Sequence, residues 1–434
     1  MPIFTRSDST MQKANVLHEE NMTKATNARW IYISLPLMLL FTVSMIDKSN
    51  INILFAERQF LQDLAISDNV IKGTLSSVFL ITYALGQFFW GFVVDRIGAF
   101  KSGMIGIAIW GIAMIIGGVA TSVTALLWSR ALLGVGEGVL YPIALTLTAK
   151  WFPQQEQGKA QSFWFTGNAI GPVIGIPAIA LIAASFGWRE SYFALAIISF
   201  ICLAIFIFMI RNKPSEHYAT NAAEVNYIEK GQGVKKTANI DTGSVKSVLT
   251  SPLFWILTTV YACVSIGFFG FSTFLPSYLT EAKGIDFVNS AMINAAGYAL
   301  AIIVQLVCGY LSDRWMKRAA FVAVASVIII GCFVGFLYTT NTTVVILLTI
   351  ILLSVLYMPA PITMTMLHEV ASSQVMGRIS GTFGCVSYLV AAAGPMVVGF
   401  FSTTTGSFTG GFMALISFIV LSLLLCVYLM KKGY

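Results

Sequence analysis

GFVVDRIGAFKSG, residues 91–103, returns later in the chain as GYLSDRWMKRAA, residues 309–320. Each copy opens on a glycine, sets an Asp-Arg pair four residues on, and continues into basic residues. Asp95 and Asp313 stand 218 residues apart. A second pair behaves alike: QGKAQSFWFTGNAIGPVIGIP (157–177) and MGRISGTFGCVSYLVAAAGPMVVGF (376–400) place Gly158 and Gly377 219 residues apart. A near-constant offset of half the 434 residues makes the chain two copies of one unit.

Outward from these stretches the sequence is oily. It is 57% hydrophobic and 10% charged, against about 25% charged in soluble proteins. Its mean hydropathy is +0.81. Twelve apolar runs are each long enough to cross ~30 Å of hydrocarbon. They fall near 30–55, 70–94, 101–121, 124–149, 160–185, 189–210, 252–279, 288–311, 319–338, 342–367, 378–401 and 407–430. The expected fold is an all-α membrane protein of twelve transmembrane helices in two pseudo-symmetric six-helix halves. A tail over 1–29 precedes the first half, 30–210. A polar linker over 211–250 leads to the second half, 251–430, and 431–434 close the chain. Residues 1–29 are polar and mixed in charge, so they do not read as a signal peptide, and the first apolar run reads as a retained span.

Charge placement gives an orientation. Of the 26 Lys and Arg, Lys48 and Arg130 lie within spans, and Arg58, Lys72, Arg189 and Lys283 lie in the connections on one side. The other 20 lie in the tails and the connections on the opposite side. That bias predicts cytoplasmic termini and a plasma-membrane protein. The net charge of +7 is dispersed through short connections, which argues against nucleic acid. Cys202, Cys263, Cys308, Cys332, Cys385 and Cys426 sit in apolar segments without metal-ligand spacing and read as free thiols. His368 and Glu369 read as a solvated helix end, and no metal site or organic cofactor is expected.

Four full charges fall inside spans, all in the first half: Asp47 and Lys48 in LLFTVSMIDKSNINILFA (39–56), Arg130 and Glu137 in LLWSRALLGVGEGVLYP (126–142). A charge at mid-bilayer costs at least ~2.5–3.5 kcal/mol on insertion scales, so it marks a functional site. Arg130 and Glu137 are seven residues apart, two helical turns, and share one helix face. Lys48 and Arg130 are candidates to hold an anion. Asp47 and Glu137 are candidates to carry a proton, since burial and nearby cations pull a carboxyl pKa in opposite directions. The alternative is that all four only neutralise one another. Tyr83, Gln87 and Asn168 are polar side chains within spans, able to bond substrate or to join helices. Asp95, Arg96, Lys101, Asp313 and Arg314 stand at the cytoplasmic mouth, as an inner gate held by charge pairs.

GFVVDRIGAFKSG resembles the loop motif of the major facilitator superfamily through Gly91, Asp95, Arg96, Gly98 and Lys101. RALLGVGEG resembles its fourth-span motif through Arg130, Gly134 and Gly136. Within that superfamily the chain resembles the anion:cation symporters, which include hexuronate, galactonate, glucarate, vesicular glutamate and sialic acid transporters. Asp47-Lys48, Tyr83, Gln87, Arg130 with Glu137, WFP at 151–153 and FLPSYLTEAKG at 274–284 carry the likeness. The family usually reads Tyr-x-Asp-Arg in its first span; here it is Met45-Ile46-Asp47-Lys48. Met364 and Tyr388 stand where sugar-acid members carry a Trp and an Asn, and Asn168 where many carry a Gln.

The resemblance implies a proton-coupled symporter importing a small organic anion, a carboxylate or sugar acid, by alternating access. Its substrate set would be Lys48, Arg130, Tyr83, Gln87, Asn168 and Tyr388, and the protein would work as a monomer. The departures point to a substrate less hydroxylated than galactonate; the alternative is that other residues, such as Gln87, Asn168, Ser265 or Asn294, supply the missing hydrogen bonds. The rival is an efflux antiporter for lipophilic cations. It rests on Gly167, Gly171, Pro172 and Gly175, which resemble a drug:proton antiporter motif, and is opposed by Lys48, which would repel a cation.

Overall fold

The computed structural model describes residues 25–232, 245–370 and 376–433. The side chains of Asp313, His368 and Glu369 lie outside the described residues. Among them, eleven helices are long and apolar enough to cross a membrane. One, Asn69–Gly118, runs for 50 residues, twice what a bilayer needs. It breaks at Gly98, whose φ of +84° and ψ of 160° belong to a region essentially closed to L residues. The chain therefore crosses twelve times, as expected, which puts Trp30 and Lys431 at the same end of the bundle. The crossings are Trp30–Leu54, the two arms of Asn69–Gly118, Val123–Trp151, Gln154–Phe186, Trp188–Met209, Pro252–Ala282, Phe287–Ser312, Arg318–Tyr338, Thr342–Leu367, Arg378–Thr405 and Phe408–Lys431.

Short polar side chains start most even-numbered spans at the distal end, opposite Trp30 and Lys431. Asp68 accepts from Ile71 N at 2.8 Å, Ser122 from Ala125 N at 3.2 Å and Asp286 from Asn289 N at 3.0 Å. Asn341 accepts from Thr343 N at 2.9 Å and Ser407 from Thr409 N at 3.2 Å. Each supplies an acceptor to an amide that the first helical turn leaves unpaired. The fourth and tenth spans both break mid-membrane, at Gly138–Val139 and at Met358. Pro142 and Pro359 explain this, since neither has an N–H to give the carbonyl four residues back.

The halves interlock at the distal end. Lys72 Nζ reaches Glu281 Oε1 at 2.9 Å and Ser277 Oγ at 3.5 Å. Ser277 Oγ donates to the Phe55 carbonyl at 2.8 Å, and Ser77 Oγ to the Ala392 carbonyl at 2.6 Å. Gly73 lies against the backbone of Pro395 and Gly399 against that of Asn69, with no room for a Cβ at either. At the proximal end Asp95, Arg96, Lys101 and Arg314 are exposed.

The linker departs from its reading as a plain polar connection. Ala222–Gln232 is helical and docks on the first half. Glu224, fully buried, accepts from the Ala28 and Arg29 amides at 3.3 and 3.2 Å and pairs with the Arg29 guanidinium at 2.9 Å. Arg29 also pairs with Glu156 at 2.9 Å, and Tyr227 donates to Glu156 at 2.8 Å. His217, which carried no signal in the sequence, packs between Tyr32 and Trp151.

Candidate functional site

The four intramembrane charges come from the first and fourth spans; Asp47, Arg130 and Glu137 are buried and Lys48 is half-buried, but they do not pair as neighbours in sequence. Lys48 turns away from Asp47 and meets Glu137 Oε2 at 3.3 Å and Ser44 Oγ at 3.0 Å. Ser44 in turn donates to the same Glu137 oxygen at 2.5 Å. Four residues separate Ser44 and Lys48, one helical turn, so both reach one carboxylate. Asp47 faces the third span, where Trp110 Nε1 donates to its Oδ2. Asp47 Oδ1 and Glu137 Oε1 are buried without a partner.

Arg130 and Glu137 share the helix Val123–Glu137. Arg130 nevertheless forms no ion pair among the described residues. Its Nε lies 3.5 Å from the Leu75 carbonyl and its guanidinium caps the Phe79 ring at 4.6 Å. A cation over a ring gains about 0.5–2 kcal/mol, less than a carboxylate gives. Lys48 Nζ stands 4.4 Å from the centre of the Tyr83 ring.

Tyr83 leads across to the second half, meeting Tyr388 at 5.4 Å, and Tyr388 meets Phe269 at 5.7 Å. Gln87 faces Gly384 of the eleventh span. The Tyr83, Tyr141, Tyr261, Tyr357 and Tyr388 hydroxyls lie within electrostatic range of one another. Asn168 reaches Tyr141, and Nδ2 of Asn168 and Nε2 of Gln87 are buried and unpartnered. Thus Lys48, Tyr83, Gln87, Asn168 and Tyr388 line one zone at the junction of the halves, while Arg130 sits behind Phe79. Sequence reasoning overlooked Ser44, Trp110, Tyr141, Tyr261 and Tyr357. Intramembrane tyrosines were the available signal for the last three.

Asp95, Arg96, Lys101 and Arg314 form no ion pair in this conformation among the described residues, and Asp313 falls outside them. The glycines behind the rival reading have a packing role. Gly167 faces Met38 and Thr42, Gly171 faces Thr42 and Met45, and Gly175 faces Ile46. They let the first and fifth spans touch at backbone distance.

A sequence model of the Major Facilitator Superfamily matches residues 37–395. The chain belongs to that superfamily, and is a multi-pass membrane transporter rather than an enzyme. Its relatives include a probable sulfoacetate transporter of Cupriavidus necator, 27% identical over 86% of this chain and 88% of that one. A hexuronate transporter of Bacillus subtilis is 26% identical over 87% and 90%. A D-galactonate transporter of Escherichia coli is 25% identical over 86% and 90%. Among solved structures, a bacterial homolog of the human lysosomal transporter Spinster superposes with a TM-score of 0.74 at 17% identity, covering 94% of this chain and 98% of that one.

Proposed function

We propose that this protein imports a small organic anion together with a proton across the plasma membrane, its termini cytoplasmic and its distal end outside. The observation that carries the reading is the Lys48 ammonium. It is bound to Glu137 at 3.3 Å, yet stands over Tyr83 at the seam where the halves meet. An anion entering that seam competes with Glu137 for Lys48. A proton on Glu137 weakens its hold and frees the ammonium for the substrate. Charge balance gives the same coupling. The empty site has two cations and two carboxylates, a bound monoanion leaves it at −1, and one proton restores neutrality, since net charge in low dielectric is costly. The relatives named as carriers of sulfoacetate, hexuronate and galactonate support an anionic cargo.

Alternating access follows from the two halves rocking about this zone, with the Lys72–Glu281 closure at one end and the exposed Asp95, Arg96, Lys101 and Arg314 at the other. The tyrosine rings of the second half present aromatic surface, which favours a compact or aromatic anion.

Proteoliposome uptake of labelled sulfoacetate, galactonate, glucuronate and benzoate tests the reading. An inward proton gradient is expected to drive accumulation of at least one. Glu137→Gln should lose that drive and keep counterflow exchange. Lys48→Ala should lose both, and Lys48→Arg should keep part. Accumulation unaffected in both Glu137→Gln and Asp47→Asn would remove the proton from the mechanism. Transport of lipophilic cations alone would hand the case to the antiporter.

A further inference from the structure

Between Asp47 and the distal surface, the interior of the first half holds polar atoms that the substrate zone does not use. Asn50 follows Asp47 by one turn toward the distal end and is 1% exposed. Its Oδ1 accepts from Ser191 Oγ at 3.0 Å, and its Nδ2 has no partner. Tyr192, next to Ser191 on the sixth span, is also 1% exposed, with its hydroxyl unpartnered and within electrostatic range of Arg130 and Asp47. Asp47 Oδ1 is the third orphan. Arg130, which forms no ion pair among the described residues, is the fourth group at this place. The ionisable groups facing Asp47 are Lys48 on its own helix, Arg130 and Glu137 on the fourth span, and Tyr192 and Cys202 on the sixth.

The four groups differ in what they ask of a ligand. The carboxylate oxygen only accepts, the Asn50 amide nitrogen and the guanidinium only donate, and the Tyr192 hydroxyl does both. A metal cation would meet the donors and an anion would meet the carboxylate. Water satisfies all of them, and two to four polar partners are what an internal water needs. Asp47 lies seven residues, about 10 Å, inside the distal end of its span, Arg130 about as deep and Tyr192 about 6 Å. Ser191 Oγ also lies 2.7 Å from the Trp188 carbonyl, and Trp188 and Arg189 bond Asp63 at the distal surface.

We infer that ordered water fills the space between Asp47, Asn50, Arg130 and Tyr192, and that it conducts protons from the distal side to Asp47 by a path separate from the substrate zone. At each step a water or hydroxyl accepts one proton and gives up another, so one proton leaves the outer medium and one O–H bond forms on Asp47. The path lies within one half, and closure of the Lys72–Glu281 contact between the halves leaves it open. The inference rests on the proton-coupled reading.

The test is the rate at which the Asp47 carboxyl band appears in the infrared after a downward pH jump on purified protein, with Asp47→Asn identifying the band. Tyr192→Phe removes one hydroxyl and keeps the ring against Gly117. It is expected to slow the band about tenfold or more, within the range a positioned proton-transfer group supplies, with an unchanged melting temperature. Asn50→Leu carries the same expectation should Tyr192→Phe fail to fold. An Asp47 band that forms equally fast in both variants overturns the path. Absence of any titrating Asp47 band in the wild type would instead sink the proton-coupled reading at that residue.

Discussion

Gly98 and Met316 occupy the same place in the two repeats, each three residues after the aspartate, and both have positive φ, +84° and +52°. Met316 ends Phe287–Trp315 in the left-handed helical region, which an L residue enters at about 1–2 kcal/mol. Gly98 sits where ψ is 160°, and its Cα faces the Asn212 side chain, whose Oδ1 accepts from Phe100 N at 3.0 Å. Met316→Gly should therefore stabilise the protein by about 1 kcal/mol, and Gly98→Ala should destabilise it by about 1–3 kcal/mol, read as opposite shifts in melting temperature. Asp63 gives a pH-dependent case. Hydrogen bonds from Trp188 and Arg189 hold its carboxyl below the ordinary carboxylate value. A depressed folded pKa stabilises above the unfolded value of about 3.9 and loses that contribution as pH falls through the folded one. The stability gap between wild type and Asp63→Asn should be steady at neutral pH and shrink as the pH drops below about 4. At this scale the sequence spoke through residue cost: charges in oil and a glycine in a repeat both stood out. It did not show that Lys48 bonds Glu137 instead of Asp47, because rotamers on one helix are set by what other helices bring.

The distal contact between the second and eleventh spans is made by glycines, and so the closed state can be attacked one side chain at a time. Gly73 faces the Pro395 carbonyl and Gly399 the Asn69 carbonyl, so any Cβ there forces the halves apart. Gly73→Leu should bias the population toward a distal-open form. The check is faster labelling of a cysteine placed at Ser277, which is fully buried in this structure. Equal labelling in the two backgrounds would mean that the contact does not set closure. The span boundaries were legible because each is a long apolar run ending at a polar connection. The breaks in the fourth and tenth spans were foreshadowed by Pro142 and Pro359. The tyrosine lining was not legible, since a tyrosine in an apolar run looks alike whether it faces lipid, core or cavity.

For the whole molecule, twofold repetition was readable from a constant offset, and the docked linker was not. Its helix Ala222–Gln232 is held by Arg29 and Glu156, distant residues whose partnership no local pattern announces. The pair is worth quantifying. Removing one partner of a buried ion pair costs about 3–5 kcal/mol because the other is left unpaired. Glu224→Ala should lose stability on that scale, measured by thermal unfolding in detergent, and a loss near zero would make the clasp decorative. The clasp also has a consequence for biogenesis. Arg29 leaves the ribosome about 195 residues before Glu224 does, so the first half stays unlatched until the linker has been synthesised. From then on it can finish assembling without waiting for the second half, in the N-to-C order in which domains usually mature. Two separately expressed fragments cut after Gln232 should therefore find each other and restore uptake. Fragments cut after Met209 should not, because the first would emerge into the bilayer without its own fastening.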